Sequence, residues 1–166
     1  MARRKELRVS PTLRTGLLIG VAVVAWTFFM GVTRWYLHPT LLNLFWVVIP
    51  IQIALLVVGL RSTAAANGYG KQVLSGTLAS VLAALLVFCG SLLFTTVAFP
   101  NYFEEIRAVQ AEMLAKAGKS PEEVKAQVEA MVSMQTPFLQ ALFGAIGTVV
   151  TGLVASLVIA AFARKR

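Results

Sequence analysis

PNYFEEIRAVQAEMLAKAGKSPEEVKAQVEAMVSMQT, residues 100–136, is the stretch whose reading decides the fold of this chain. It holds six of the seven acidic residues among 166, while the rest of the sequence is dominated by long uncharged runs. Those runs are residues 15–33, 35–60, 72–103 and 130–163. Each can hold a helix of about 20 residues, which crosses roughly 30 Å of hydrocarbon at about 1.5 Å per residue. With 58% hydrophobic and only 13% charged residues, the composition leaves no material for a separate soluble domain.

The fold class expected is therefore an all-α membrane protein with four transmembrane helices and an amphipathic helical hairpin between the third and fourth. Residues 1–166 form a single membrane domain with spans at about 13–34, 41–60, 73–98 and 137–162 and a hairpin at about 101–136. The basic N-terminus (Arg3, Arg4, Lys5, Arg8) ahead of an apolar run imitates a signal peptide. The run continues through Phe28, Phe29 and Met30 to Thr33, however, which is span length and exceeds a signal core of about 7 to 15 residues.

The hairpin carries its own start and stop signals. Pro100 ends the third span, because the residue before a proline is pushed out of helical geometry. Asn101 with Glu104 reads as a cap and its answering carboxylate. Gly118 reads as the left-handed residue that ends the first helix near Ala117, and Ser120-Pro121-Glu122-Glu123 as a capping box that starts the second. Apolar residues recur at helical spacing at Ile106, Val109, Met113, Leu114 and Ala117, then at Val124, Val128, Met131 and Val132. Of these, Ile106, Val109, Met113, Val124, Val128 and Met131 form the candidate partner-docking face, with burial of the two stripes against each other or on the bilayer surface as the alternatives. Glu112 with Lys116, and Glu122 with Lys125, are spaced for pairing on the opposite faces.

Orientation follows from the basic residues. The N-terminus, the second connection (Arg61, Lys71) and the C-terminus (Arg164, Lys165, Arg166) together carry ten, and the other side carries five spread over a longer length. Both termini are expected in the cytoplasm, with the hairpin outside. Trp35, Tyr36, Tyr102 and Phe103 suit the outer headgroup level and Tyr69 the inner, whereas Trp26 and Trp46 fall within spans as packing residues. The net charge of +8 lies at span ends and not along a soluble face, so nucleic acid is not expected as a partner.

No catalytic constellation emerges. The chain has no aspartate for a membrane aspartyl-protease pair and no His-Glu-x-x-His for a zinc protease. His38, the single histidine, sits at the outer interface and reads as structural. Gly68-Tyr69-Gly70-Lys71 lacks the glycine spacing and following hydroxyl of a phosphate loop and reads as a turn before the third span. Cys89 is the lone cysteine, which precludes an intramolecular disulfide. No enzyme activity, cofactor or metal is expected.

Within the spans the ionisable groups that mark transport paths are missing, but the second span contains Asn43, Pro50 and Gln52, with Asn43 and Gln52 as candidate intramembrane polar contacts. Pro50 should kink the helix near Trp46 and free a carbonyl beside Gln52. Asn43 and Gln52 are nine residues apart, on opposite faces, so Gln52 reads first as an interhelical hydrogen bond and second as part of a solute path. Small residues form stripes: Gly16 and Gly20; Gly76, Ser80 and Ala84; Gly144, Thr148, Gly152, Ser156 and Ala160. They read as helix packing within the bundle, with a homodimer seam as the sharper alternative.

The chain resembles the bacterial membrane-protein family known as domain of unknown function 4199 over nearly its whole length. The resemblance rests on the glycine-containing first span, the Arg61 to Gly76 stretch, and Phe99-Pro100-Asn101-Tyr102-Phe103-Glu104. It extends into the Gly118-Lys119-Ser120-Pro121-Glu122-Glu123 break and the final span with its basic tail. It implies a four-helix membrane protein with the same outer insertion, and no activity or catalytic residue. The function expected is a non-enzymatic scaffold or accessory subunit whose hairpin docks a protein partner. A small-solute channel or transporter using the Pro50/Gln52 region is the alternative. The bilayer is the further partner, and a second copy of the chain another.

Overall fold

The computed structural model describes residues 10–132 and 134–163, and among them every regular element is helical. Four helices are long and apolar enough to span a membrane, so the chain is a multi-pass membrane protein. Helix α1 covers Pro11–Val32, started by the Ser10 hydroxyl accepting from the Leu13 amide at 3.2 Å, with Pro11 at the first helical position. The second span begins as a 3-10 helix, Leu41–Val47, and continues as α2, Val48–Arg61. Helix α3 (Tyr69–Leu93) runs into one π-helical turn, Phe94–Ala98. The hairpin is α4 (Tyr102–Lys116) and α5 (Pro121–Val132), and α6 (Pro137–Ala163) is the last span.

Helix α3 is the centre of the bundle, packed on α6 along one side and α1 along another, while α2 bridges α1 and α6. The interior is built from small side chains: Ala79, Ala83, Ser80 and Ser156 are all but inaccessible. Large residues point outward, with Val21 61%, Leu85 61% and Val150 54% exposed. In water such a surface would be an aggregation site; in lipid it is the solvated face, and association rests on close van der Waals packing of small residues.

The small-residue stripes are spent inside the chain. A β-carbon added at Gly16 would lie 2.6 Å from the Ala79 carbonyl, and one at Gly20 would lie 2.6 Å from Leu86 Cδ1. Gly76 faces Ser156 and Gly152 faces Ser80, so α3 and α6 interlock glycine against serine in both directions. Ala84 is buried as well, while Gly144 is looser, with Val87 at 3.6 Å from an added β-carbon. The homodimer seam considered for these stripes has no free surface left at Gly76, Gly152 or Ser156.

Three local expectations are corrected. Pro50 does not kink a continuous helix at Trp46; it occupies the first turn of α2, where a missing amide costs nothing, and the change from 3-10 to α geometry absorbs the disruption. Trp46 is 69% exposed and does not pack inside the bundle. Lys71 and Tyr69 belong to the first turn of α3, with Gly68 as its cap, so the turn before that span ends sooner than the glycines suggest.

Candidate functional site

The hairpin is fastened to the bundle at one place, and the chain builds that place from its own reversals. Helix α1 ends in Thr33 and Arg34, the latter in the left-handed region at φ 53°, which turns the chain into a short 3-10 turn, Trp35–Leu37. Tyr36 is thereby pointed inward and is 1% exposed. At the end of the third span Pro100 has no amide to continue the ladder, and Phe99 N–H instead donates to the Phe94 carbonyl at 2.8 Å, five residues back. This turn brings Phe94 and Phe99 together, ring centroids 4.6 Å apart, both against Gly31, where an added β-carbon would lie 2.5 Å from each ring.

Tyr102 and Phe103, opening α4, complete the cluster. Tyr102 lies 5.3 Å from both Tyr36 and Phe94, and Phe28 meets Phe94 edge to face at 5.5 Å. Ile106 packs into the same cluster. Edge-to-face contacts of this kind contribute roughly 0.5 to 1.5 kcal/mol each beyond buried area. The Tyr36 hydroxyl donates to Glu105 Oε2, which ties the turn after α1 to the hairpin. Burial first, and the Glu105 bond and charge second, push the Tyr36 hydroxyl up to about 12, and burial alone does the same to Tyr102. Both remain neutral phenols across the physiological range, so Tyr36 stays a donor.

A second tie closes the hairpin's base. Arg107 Nε donates to Gln135 Oε1 at 2.8 Å, and Gln135 Nε2 donates to Gln110 Oε1 at 2.9 Å, which joins α4 to the segment entering α6. The turn between α4 and α5 has Gly118 at φ 83° and the Lys119 amide donating to the Leu114 carbonyl at 3.3 Å. Ser120 and Glu123 then form the reciprocal cap, with Ser120 N–H to Glu123 Oε2 at 2.9 Å and Glu123 N–H to Ser120 Oγ at 3.3 Å. Those bonds, the backbone one foremost, hold the Glu123 carboxyl below its usual range.

Several sequence-expected sites change character. Ile106 and Val109 are 5% and 7% exposed, so the α4 half of the docking face is already covered by the chain itself. Met113 is 38% exposed, and Val124, Val128 and Met131 are half-buried. Asn101 makes no side-chain cap; its backbone sits at φ −87° and ψ 2°, outside the extended geometry a cap requires. Glu112 pairs with Lys116 at 2.5 Å, but Lys125 reaches Glu129 at 4.0 Å and not Glu122. Within the spans, Asn43 is exposed, whereas Gln52 is 3% exposed and its Nε2 donates to the Thr148 carbonyl at 2.7 Å. Gln52 therefore links α2 to α6 through a packed seam, beside Gly152.

The residues that sequence reading missed are Tyr36 with Glu105, Gln135, and Gln72, whose buried Oε1 has no hydrogen-bond partner among the described residues. The first two are separations in sequence that no periodicity reveals; Gln72 was legible only as a polar residue opening an apolar run. Among the described residues no group of three His, Cys, Asp or Glu side chains could hold a metal ion. His38 is exposed, and Glu105 is directed to Tyr36.

Neither the curated proteins nor the solved structures compared with this chain include a match. A family model described as "Protein of unknown function (DUF4199)" matches residues 14–165, from the second turn of α1 into the basic tail. The chain belongs to that family.

Proposed function

We propose that this protein is a non-enzymatic scaffold or accessory subunit of a bacterial inner-membrane assembly, with both termini in the cytoplasm and the hairpin outside, presenting α5 to a protein partner. One observation carries the reading: α4 is moored through Tyr36, Glu105 and the aromatic cluster, while α5 has no buried residue at all. A helix held at a fixed position with its apolar residues only half-buried is what a docking element requires, since a preorganised surface loses less entropy on binding. The docking face is accordingly the α5 side with Met113, and not the Ile106 and Val109 stripe. The excess of Lys and Arg at the ends that carry the termini supports the orientation.

The alternative reading is a small-solute channel or transporter using the Pro50/Gln52 region, where the buried Gln52 amide donates to the Thr148 carbonyl.

The test combines topology and contact. A cysteine at Ala126, with Cys89 replaced by alanine, should react with a membrane-impermeant maleimide in intact spheroplasts, and a photo-crosslinker at the same position should yield a discrete protein adduct. Loss of that adduct with Val124→Lys supports docking on α5. Adducts no more abundant than at the lipid-facing Leu85, or labelling only after the membrane is opened, contradict the proposal.

A further inference from the structure

A cavity of about 10 Å³ lies where α1, α2 and α3 meet, at the end of the bundle remote from the hairpin. Its lining carries four hydroxyl residues: Thr12 and Thr15 from α1, Thr63 just beyond α2, and Ser75 from α3. Gly59 lets α2 approach closely enough to wall it, because a β-carbon there would lie 2.4 Å from Thr15 Oγ1.

The hydroxyl protons around this cavity do not balance. Thr15 donates to the Pro11 carbonyl at 2.8 Å and Thr63 to the Leu60 carbonyl at 3.2 Å, so each proton is spent locally and each oxygen keeps lone pairs. Thr12 Oγ1 and Ser75 Oγ lie 2.6 Å apart across the contact between α1 and α3. That pair owns two protons and needs only one between its oxygens. The second has no acceptor among the described residues.

We propose that the cavity binds one ordered water, which accepts the spare proton of the Thr12–Ser75 pair and donates to the Thr15 and Thr63 oxygens. Three hydrogen bonds are the usual complement of a buried water, and a cavity of this size has room for one. Proton accounting selects water over a metal ion. A cation cannot accept the spare proton, no lining residue is a carboxylate, and Arg14 and Arg61 each adjoin a lining residue in the chain. A lipid tail or a larger solute exceeds the space. The water's partners come from three separate segments, so it ties Thr63 to Ser75, which share no direct hydrogen bond. This inference is independent of the role assigned to α5.

The experiment is a crystal structure of the full-length protein at a resolution that shows ordered solvent, repeated for two variants. The parent should show one solvent peak in the cavity, at about 2.7 to 2.8 Å from an oxygen of the Thr12–Ser75 pair and from Thr15 or Thr63. Ser75→Ala should keep the peak, because it frees the Thr12 proton to take over the donation. Thr12→Val with Ser75→Ala should lose it, because both donors are gone although the space has grown. An unfilled cavity in the parent overturns the proposal, and so does a peak ringed by oxygens at about 2.0 to 2.6 Å, as a metal ion would be. A peak that survives the double substitution also overturns it, since solvent would then fill the space without the spare proton. If the double variant does not fold, the parent and Ser75→Ala decide: the peak must be present in both, and its absence from either contradicts the assignment.

Discussion

Ser80 and Gly152 meet in the middle of the α3–α6 seam so closely that a β-carbon on Gly152 would run into the Ser80 hydroxyl, and Gly76 stands in the same relation to Ser156 four residues away. The two helices run antiparallel, so each presents a glycine to the other's serine. Both hydroxyls are turned back onto their own helix, Ser80 Oγ to the Gly76 carbonyl at 3.0 Å and Ser156 Oγ to the Gly152 carbonyl at 2.6 Å. Neither therefore leaves an unsatisfied polar group at the contact.

Gly152→Ala should destabilise the bundle by about 1 to 3 kcal/mol through overpacking. Ser80→Gly in the same chain should recover a good part of that loss, because it vacates the space the new methyl needs. Equilibrium unfolding in mixed micelles would show it as a favourable coupling of roughly 0.5 to 3 kcal/mol between neighbours. Strict additivity would mean that the seam is not in contact.

Gln52→Leu should lower stability by about 0.5 to 2 kcal/mol by removing the bond to the Thr148 carbonyl, in the range seen for interhelical hydrogen bonds in membranes. Asn43→Leu should leave stability nearly unchanged, because that side chain is exposed. The same unfolding measurement separates the two, and equal effects would contradict the packed position of Gln52.

Above neutral pH, stability should hold until strongly alkaline conditions and then fall. Tyr36 and Tyr102 have hydroxyls raised from 10.0 to about 12, so the folded state holds their protons more tightly than the unfolded chain does. That contribution is complete below about pH 10 and is lost as pH rises toward about 12. Tyr36→Phe with Tyr102→Phe should shrink the alkaline loss, measured as the unfolding midpoint against pH. An undiminished loss would place its origin elsewhere.

Gly118→Ala should loosen the turn between α4 and α5, since φ 83° costs an L-residue about 1 to 2 kcal/mol. Faster amide exchange in α5, with α4 and the spans unaffected, is the expected signature. Uniform protection would show that the turn tolerates a side chain.

The four spans and the hairpin break were legible because their signals are local: charge-free length, a left-handed glycine, a serine with a glutamate three residues on. The Gly/Ser stripes were legible for the same reason, as a four-residue period on one helix. What escaped is what depends on two distant segments meeting. Ile106 and Val109 have the spacing of a free amphipathic face, and only the ring cluster under Ile106 and the burial of Val109 show that the face is already covered. Tyr36 reads as an interfacial aromatic until Glu105, 69 residues later, is seen to accept its hydrogen bond. Trp46 illustrates the opposite failure, a large ring inside a span that faces outward, because in lipid hydrophobicity does not say which side is in.

The central claim is that α4 is part of the folded bundle and fixes where α5 sits. Its most direct test is the distance distribution between spin labels at Ala126 on α5 and Leu85 on α3, with Cys89 replaced by alanine, by pulsed electron resonance in nanodiscs. A single narrow distribution is expected, broadened when Glu105→Ala and Tyr102→Ala remove the mooring. A broad distribution in the parent protein, or a narrow one indifferent to both substitutions, would contradict the account.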